Sequence, residues 1–146
     1  MNHPYEKPEI LFSFEKTSVE EFDEIRIRHW ILTTIQEEGK NAGMIQFVFC
    51  DDDQLLQINR DFLNHDTLTD IITFNYNDEF AGVSGDIFIS VDRVKENAAE
   101  YDVPFDKELY RVIIHGILHL LGYDDQDDSS RTAMRKIENY YLSLLF

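Results

Sequence analysis

Apolar and polar residues alternate through EILFSFE (9–15), which predicts a strand. From Ser18 to Gly39 the aromatic and aliphatic residues Phe22, Ile25, Trp30, Ile31 and Ile35 recur on a rough helical face. Ser18 with Glu21 three positions on resembles a capping box, and Gly39 is a helix stop; the register breaks near Ile27, which allows a later start. MIQFVFC (44–50) predicts a second strand, and Asp51 to Asp53 can cap a short helix carrying Leu55, Leu56, Ile58 and Phe62. DIITFNY (70–76) is a β-branched and aromatic strand. The polar turn NDEFAGVSG joins it to DIFIS (86–90), where Ile87 and Ile89 share a face. So short a connection predicts a hairpin, hence an antiparallel pair within the sheet.

Residues 91–102 predict a further helix. From Asp106 to about Leu121 runs a strongly apolar one, with Leu109, Val112, Ile113, Ile114, Ile117, Leu118, Leu120 and Leu121 on nearly every side. A helix apolar all round belongs at the centre of a fold. A last helix begins after Asp127 or Asp128, both good N-caps, and turns Met134, Ile137, Tyr141 and Leu144–Leu145 inward. The sum is an α+β fold: a single domain spanning 1–146, with a mixed sheet of about four strands covered by helices.

Composition narrows the class. A hydrophobic content of 43% is that of an ordered soluble domain, and no apolar run approaches the length of a membrane span. The N-terminus, MNHPYEKPEI, lacks a basic segment followed by an apolar one, so no signal peptide is expected. Cys50, the only cysteine, lies in an apolar run; this excludes an internal disulfide and predicts a core residue in a reduced, cytoplasmic protein. Lys and Arg number 13 against 29 Asp and Glu, a net charge of −16. Affinity for nucleic acid depends on displacing phosphate counterions with basic side chains. A nucleic-acid role here therefore requires a local basic patch, a metal, or docking through protein partners.

The chemistry concentrates in HGILHLLGYDDQDD (115–128). His115 and His119 stand one helical turn apart on one face, so both imidazoles can reach one ion at the usual bond length of about 2.0–2.1 Å. Gly122 then allows a helix stop that returns the chain toward the ion. Asp125, six residues after His119, has a spacing suited to a third ligand, although Asp124, Asp127 and Asp128 compete with it. Two histidines and one carboxylate leave a coordination position open, the pattern of catalytic sites. Gly116 stands where a metalloprotease carries its glutamate directly after the first histidine, which argues against a peptidase. Its missing side chain is expected to leave room beside the metal for a large substrate.

HGILHLLGYDD (115–125) closely resembles the signature of the YbeY family of endoribonucleases and rRNA maturation factors, H-G-x-L-H-L-x-G-Y-D-H. LLQINRDFLNHDTLTDIITF (55–74) and SGDIFIS (84–90) resemble further segments of that family, in the same order and spacing. The resemblance implies a zinc-dependent hydrolase with His115 and His119 as the first two ligands. It puts Asp125 at the third, where the family has histidine. Aspartate cancels one unit of the ion's charge, which predicts a less acidic bound water and a different metal preference. The family's arginine beside the pocket falls on Leu63, which cannot grip a phosphate; Arg60 and Arg111 are the candidate substitutes. Thr69 and Asp70 match a Thr-Asp pair near the cleft, or serve as a strand-entry cap. His65, close by, is expected to be exposed.

The reading is a metal-dependent endoribonuclease acting in ribosomal RNA maturation and small-subunit assembly or quality control, with ribosomal RNA and small-subunit proteins as partners. His115, His119 and Asp125 carry the chemistry; Arg60, Thr69, Asp70 and Arg111 bind substrate. Two competitors stand beside it. One is a non-catalytic assembly factor whose acidic surface docks on basic ribosomal proteins. The other is a metallohydrolase of a different substrate, with Asp70 or Asp86 as base.

Overall fold

The computed structural model describes residues 8–65, 67–77 and 82–145. The start of the N-terminal segment and the middle of the NDEFAGVSG turn lie outside them. In chain order the elements are β1 (Glu9–Phe14), α1 (Glu24–Glu37), β2 (Ala42–Cys50), α2 (Asp52–Leu63), β3 (Ile71–Asn75), β4 (Val83–Ser90), α3 (Val91–Tyr101), α4 (Phe105–Leu120) and α5 (Asp128–Leu145). The α+β class and the mixed four-stranded sheet match the expectation. The order is β1-β2-β4-β3. β1, β2 and β4 run parallel, and β3 pairs antiparallel with β4 as its short connection predicts.

Alternation along the strands sorts side chains to the two faces of the sheet. Ile45, Phe47 and Phe49 of β2 and Ile87 and Ile89 of β4 enter the main core with α1, α3, α4 and α5. Cys50, Ile72, Phe74 and Phe88 face the other way, where Leu55 and Ile58 of α2 cover them. Fully burying one such aliphatic or aromatic side chain contributes roughly 1.5–3 kcal/mol, so the larger cluster dominates stability.

Two local readings need correction. α1 begins at Glu24, not Ser18. Asp23 is its N-cap, its carboxylate accepting the Arg26 N–H at 3.1 Å, and Glu21 sits at φ +56°, which no helix tolerates. The later start rotates the buried face: Ile27 is wholly buried, whereas Ile25 is 79% exposed. In α5 the inward set is Met134, Glu138, Tyr141 and Leu145, while Leu144 points outward. Gly39, at φ +77°, ends α1 as expected, with the Lys40 N–H bonded to the Ile35 carbonyl at 3.1 Å.

α4 is the central helix. Every side of it is buried except one stripe, where Arg111, His115 and His119 recur at four-residue intervals and remain half-exposed. That stripe is where the candidate chemistry lies.

Candidate metal centre

The end of α4 builds the centre. The Tyr123 N–H bonds the Leu118 carbonyl at 3.0 Å and the Gly122 N–H bonds that of His119 at 3.0 Å, a Schellman closure with Gly122 at φ +104°. The left-handed turn brings the aspartate-rich loop back beneath the histidines. There the four competing aspartates separate. Asp124 shapes the loop, its carboxylate accepting the N–H groups of Asp125 at 2.7 Å and Gln126 at 3.1 Å. Asp127 caps α5 by accepting the Ser130 N–H at 2.7 Å. Asp128 points to solvent beside Arg131. Asp125 alone of the four meets the histidines.

Its Oδ2 lies 3.2 Å from Nε2 of His115 and 3.4 Å from Nε2 of His119, and the two imidazole nitrogens are 3.0 Å apart. Three donors around a tetrahedral ion with bonds of about 2.0–2.1 Å stand about 3.3–3.4 Å from one another. The triangle is close to one face of such a tetrahedron, and the three residues form a group able to hold a metal ion. Two nitrogens and one carboxylate oxygen suit zinc and its first-row neighbours.

Behind the three donors stands a residue the sequence reading did not single out. Nδ1–H of His115 donates to Oε2 of Glu138 at 2.7 Å, and Glu138, 4% exposed, pairs through Oε1 with Nη1 of Arg111 at 2.9 Å. Arg111 also donates to Oδ1 of Asn139 at 2.8 Å. A carboxylate on the far nitrogen fixes the histidine's tautomer, leaving the Nε2 lone pair directed into the donor triangle. Burial alone would push the His115 pKa down. The hydrogen bond and charge of Glu138, with the charges of Asp125 and Asp70, outweigh it and leave the imidazole above its ordinary value. The signal for Glu138 was present in α5, where a charged residue occupies the inward spacing between Met134 and Tyr141.

A cleft of about 280 Å³ opens beside the centre, walled by Asp70, Glu108, Arg111, His115, Asp125 and Arg135 among others. Asp70 sits at the entry to β3, within reach of the Asn97 amide at 3.4 Å; burial raises its carboxyl pKa against the opposing charge of His115. Burial and the charge of Asp70 raise Glu108 likewise. The other sequence candidates lie apart from this wall. Arg60 is exposed on α2, Leu63 ends that helix 42% exposed, and His65 is exposed. The Thr69 hydroxyl donates to the Ile71 carbonyl at 3.3 Å, and Asp86 accepts the Tyr76 hydroxyl at 3.2 Å. Gly116 does not clear space at the ion. A Cβ there would meet Ile71 Cδ1 at 2.9 Å and Ile87 Cγ2 at 3.1 Å, so the glycine lets α4 pack onto the sheet.

The profile of the family described as endoribonuclease YbeY matches residues 11–145. This chain belongs to the YbeY family. Among its relatives, the endoribonuclease YbeY of Flavobacterium psychrophilum is 49% identical over 118 residues, covering 80% of this chain and 82% of that protein. The YbeY protein of Cytophaga hutchinsonii is 43% identical over 139 residues, covering 94% and 97%. The solution structure of TM1509 from Thermotoga maritima superposes with a TM-score of 0.66 at 26% identity, over 94% of this chain and 89% of that one. The YbeY match runs from within β1 to the end of α5 and takes in Glu138 and the cleft walls.

Proposed function

We propose that the chain is a metal-dependent endoribonuclease that matures ribosomal RNA in the cytoplasm and acts in small-subunit assembly or quality control. The observation that carries this is the donor triangle of His115, His119 and Asp125, with edges of 3.0–3.4 Å, at the wall of an open cleft in a chain of the endoribonuclease YbeY family. Its donor set favours Zn²⁺. His115, His119 and Asp125 would hold a divalent cation, which when bound would supply Lewis acidity toward a phosphodiester and water.

The remaining roles fall to the chain's own groups. Glu138 holds His115 in the ligating tautomer, and Arg111 holds Glu138. Asp70 lines the cleft with its carboxyl pKa raised by burial, the direction that suits a carboxyl to a proton-transfer role. Arg111 faces the cleft and adds positive charge on the substrate side. Arg60 and Thr69 line no part of the cleft; Thr69 stands as a substrate contact only by its match to the family's Thr-Asp pair, and Arg60 only as a candidate substitute for the arginine that falls on Leu63.

Metal analysis of the purified protein beside an Asp125→Ala variant, followed by cleavage assays on ribosomal RNA, tests this. The wild type is expected to retain stoichiometric metal after repletion and to cut RNA; Asp125→Ala retains far less and does not cut. Equal, near-zero metal in both would end the reading, and cleavage that survives His115→Ala would mark a contaminant. The −16 charge favours one second reading, a non-catalytic factor docking on basic small-subunit proteins. Metal-loaded protein inert toward RNA but bound to those proteins would establish it.

A further inference from the structure

The cleft does not end at the ligands. A second cavity of about 290 Å³ adjoins it, and Tyr101, Glu108, Arg111 and Arg135 belong to the walls of both. The two make one continuous groove. It runs from the metal centre across the first half of α4 to the meeting of the α3 C-terminus with the second half of α5.

The outer part of the groove, the second cavity, departs in sign from the molecule as a whole. The chain holds 29 acidic against 13 basic residues, yet this second cavity is walled by Lys107 and Arg135, with Arg111 already paired to Glu138, against Glu108. Its apolar surface comes from Val103, Leu142 and the ring of Tyr101, which is 58% exposed. A cationic channel with an accessible aromatic face is what a single nucleic-acid strand needs. The cations follow the phosphates, and the ring stacks a base without regard to its identity. Lys107 and Arg135 are thus a local pair of cations for a strand, set beside the cleft of the metal centre.

We propose that this groove is a subsite for the RNA nucleotides flanking the scissile phosphate: a base rests on Tyr101, and Lys107 and Arg135 hold the adjoining phosphates. This rests on the nuclease reading of the metal centre. Arg135, common to both cavities, then supplies from α5 the phosphate contact that Leu63 cannot make from α2.

The test is fluorescence anisotropy of a labelled single-stranded RNA of about twelve nucleotides with the full chain, chelator present so that no strand is cut. Lys107→Glu and Arg135→Glu are each expected to weaken binding about tenfold at low salt and to flatten the plot of log affinity against log salt by about one. Tyr101→Ala weakens binding about tenfold with the salt slope unchanged, because stacking releases no counterions. All three residues are exposed or line open space, and metal content should stay at the wild-type level in every variant. Lys16→Glu, an exposed charge outside the groove, should leave binding unchanged. Wild-type protein that cuts RNA in an Asp125-dependent way, with binding untouched by the three groove variants, would refute the subsite and leave the nuclease standing. Equal weakening by Lys16→Glu would also refute it, as a global charge effect. Wild-type protein that neither binds nor cuts RNA would remove both.

Discussion

Glu138 is a charged side chain kept almost wholly buried, and its partners show why: His115 on one oxygen, Arg111 on the other. Glu138→Gln keeps the shape but removes the charge that favours Nδ1–H on His115, so metal affinity should fall about 10- to 100-fold in competition with a chromophoric chelator. A merely structural role would lower the melting temperature and leave affinity alone. Asp70 makes a prediction in pH. Its folded pKa is raised by burial, so the native state binds the proton more tightly than the unfolded chain does. Its contribution to stability is complete below the ordinary carboxylate value of about 3.9 and is lost as pH rises through the raised folded value. Metal-free Asp70→Asn should therefore melt above wild type at neutral pH, with the gap closing toward pH ~4. A variant less stable at neutral pH would mean that Asp70 is held by a cation, not strained by burial. At this scale the sequence revealed much of the centre, because His115, His119, Gly122 and Asp125 are close in the chain and helical geometry relates them. It could not relate Glu138 to His115, or separate Arg60 from the cleft, since those placements depend on how α5 and α2 pack.

Among the elements, α4 was legible because its apolar residues run all round it, and α5 because Asp127 caps it and its inward spacing is regular. α1 starts later than its apparent cap, as the broken register near Ile27 allowed. Ser18 and Glu21 imitate a capping box, but Glu21 adopts a left-handed conformation and Asp23 caps the helix instead. The sheet order was beyond reach: nothing local to DIFIS says that it pairs with β2 on one side and β3 on the other. Nor could it assign Gly116. Beside His115 in sequence, the glycine looks like space for substrate; in the fold it is the contact between α4 and the β3–β4 pair. Gly116→Ala would force Ile71 or Ile87 to shift, an overpacking cost of about 1–3 kcal/mol. The expected result is a melting temperature several degrees lower with metal stoichiometry retained. Full stability with impaired turnover would instead return Gly116 to the substrate's side.

For the whole molecule, the position of the centre decides what metal removal does. His115, His119 and Asp125 are half-exposed at the end of α4 and in the loop before α5, and none belongs to the main hydrophobic cluster, which spans the sheet and α1, α3, α4 and α5. A structural zinc site holds together a chain that lacks such a core and unfolds without the ion. Here the core stands without it, so chelation should leave the far-UV circular dichroism unchanged. An ion held by this triangle would bind only the native state, and at a free concentration one hundred times its dissociation constant it would add about 2.7 kcal/mol. For a chain of this size that corresponds to about 10 °C in melting temperature. The difference between metal-loaded and chelated protein should shrink toward zero in Asp125→Ala, which lacks one donor. Chelated protein that has lost its helical signal would mean that the loop from Gly122 to Asp127 secures α5 through the metal, not through the Asp127 cap and the packing of Met134, Tyr141 and Leu145.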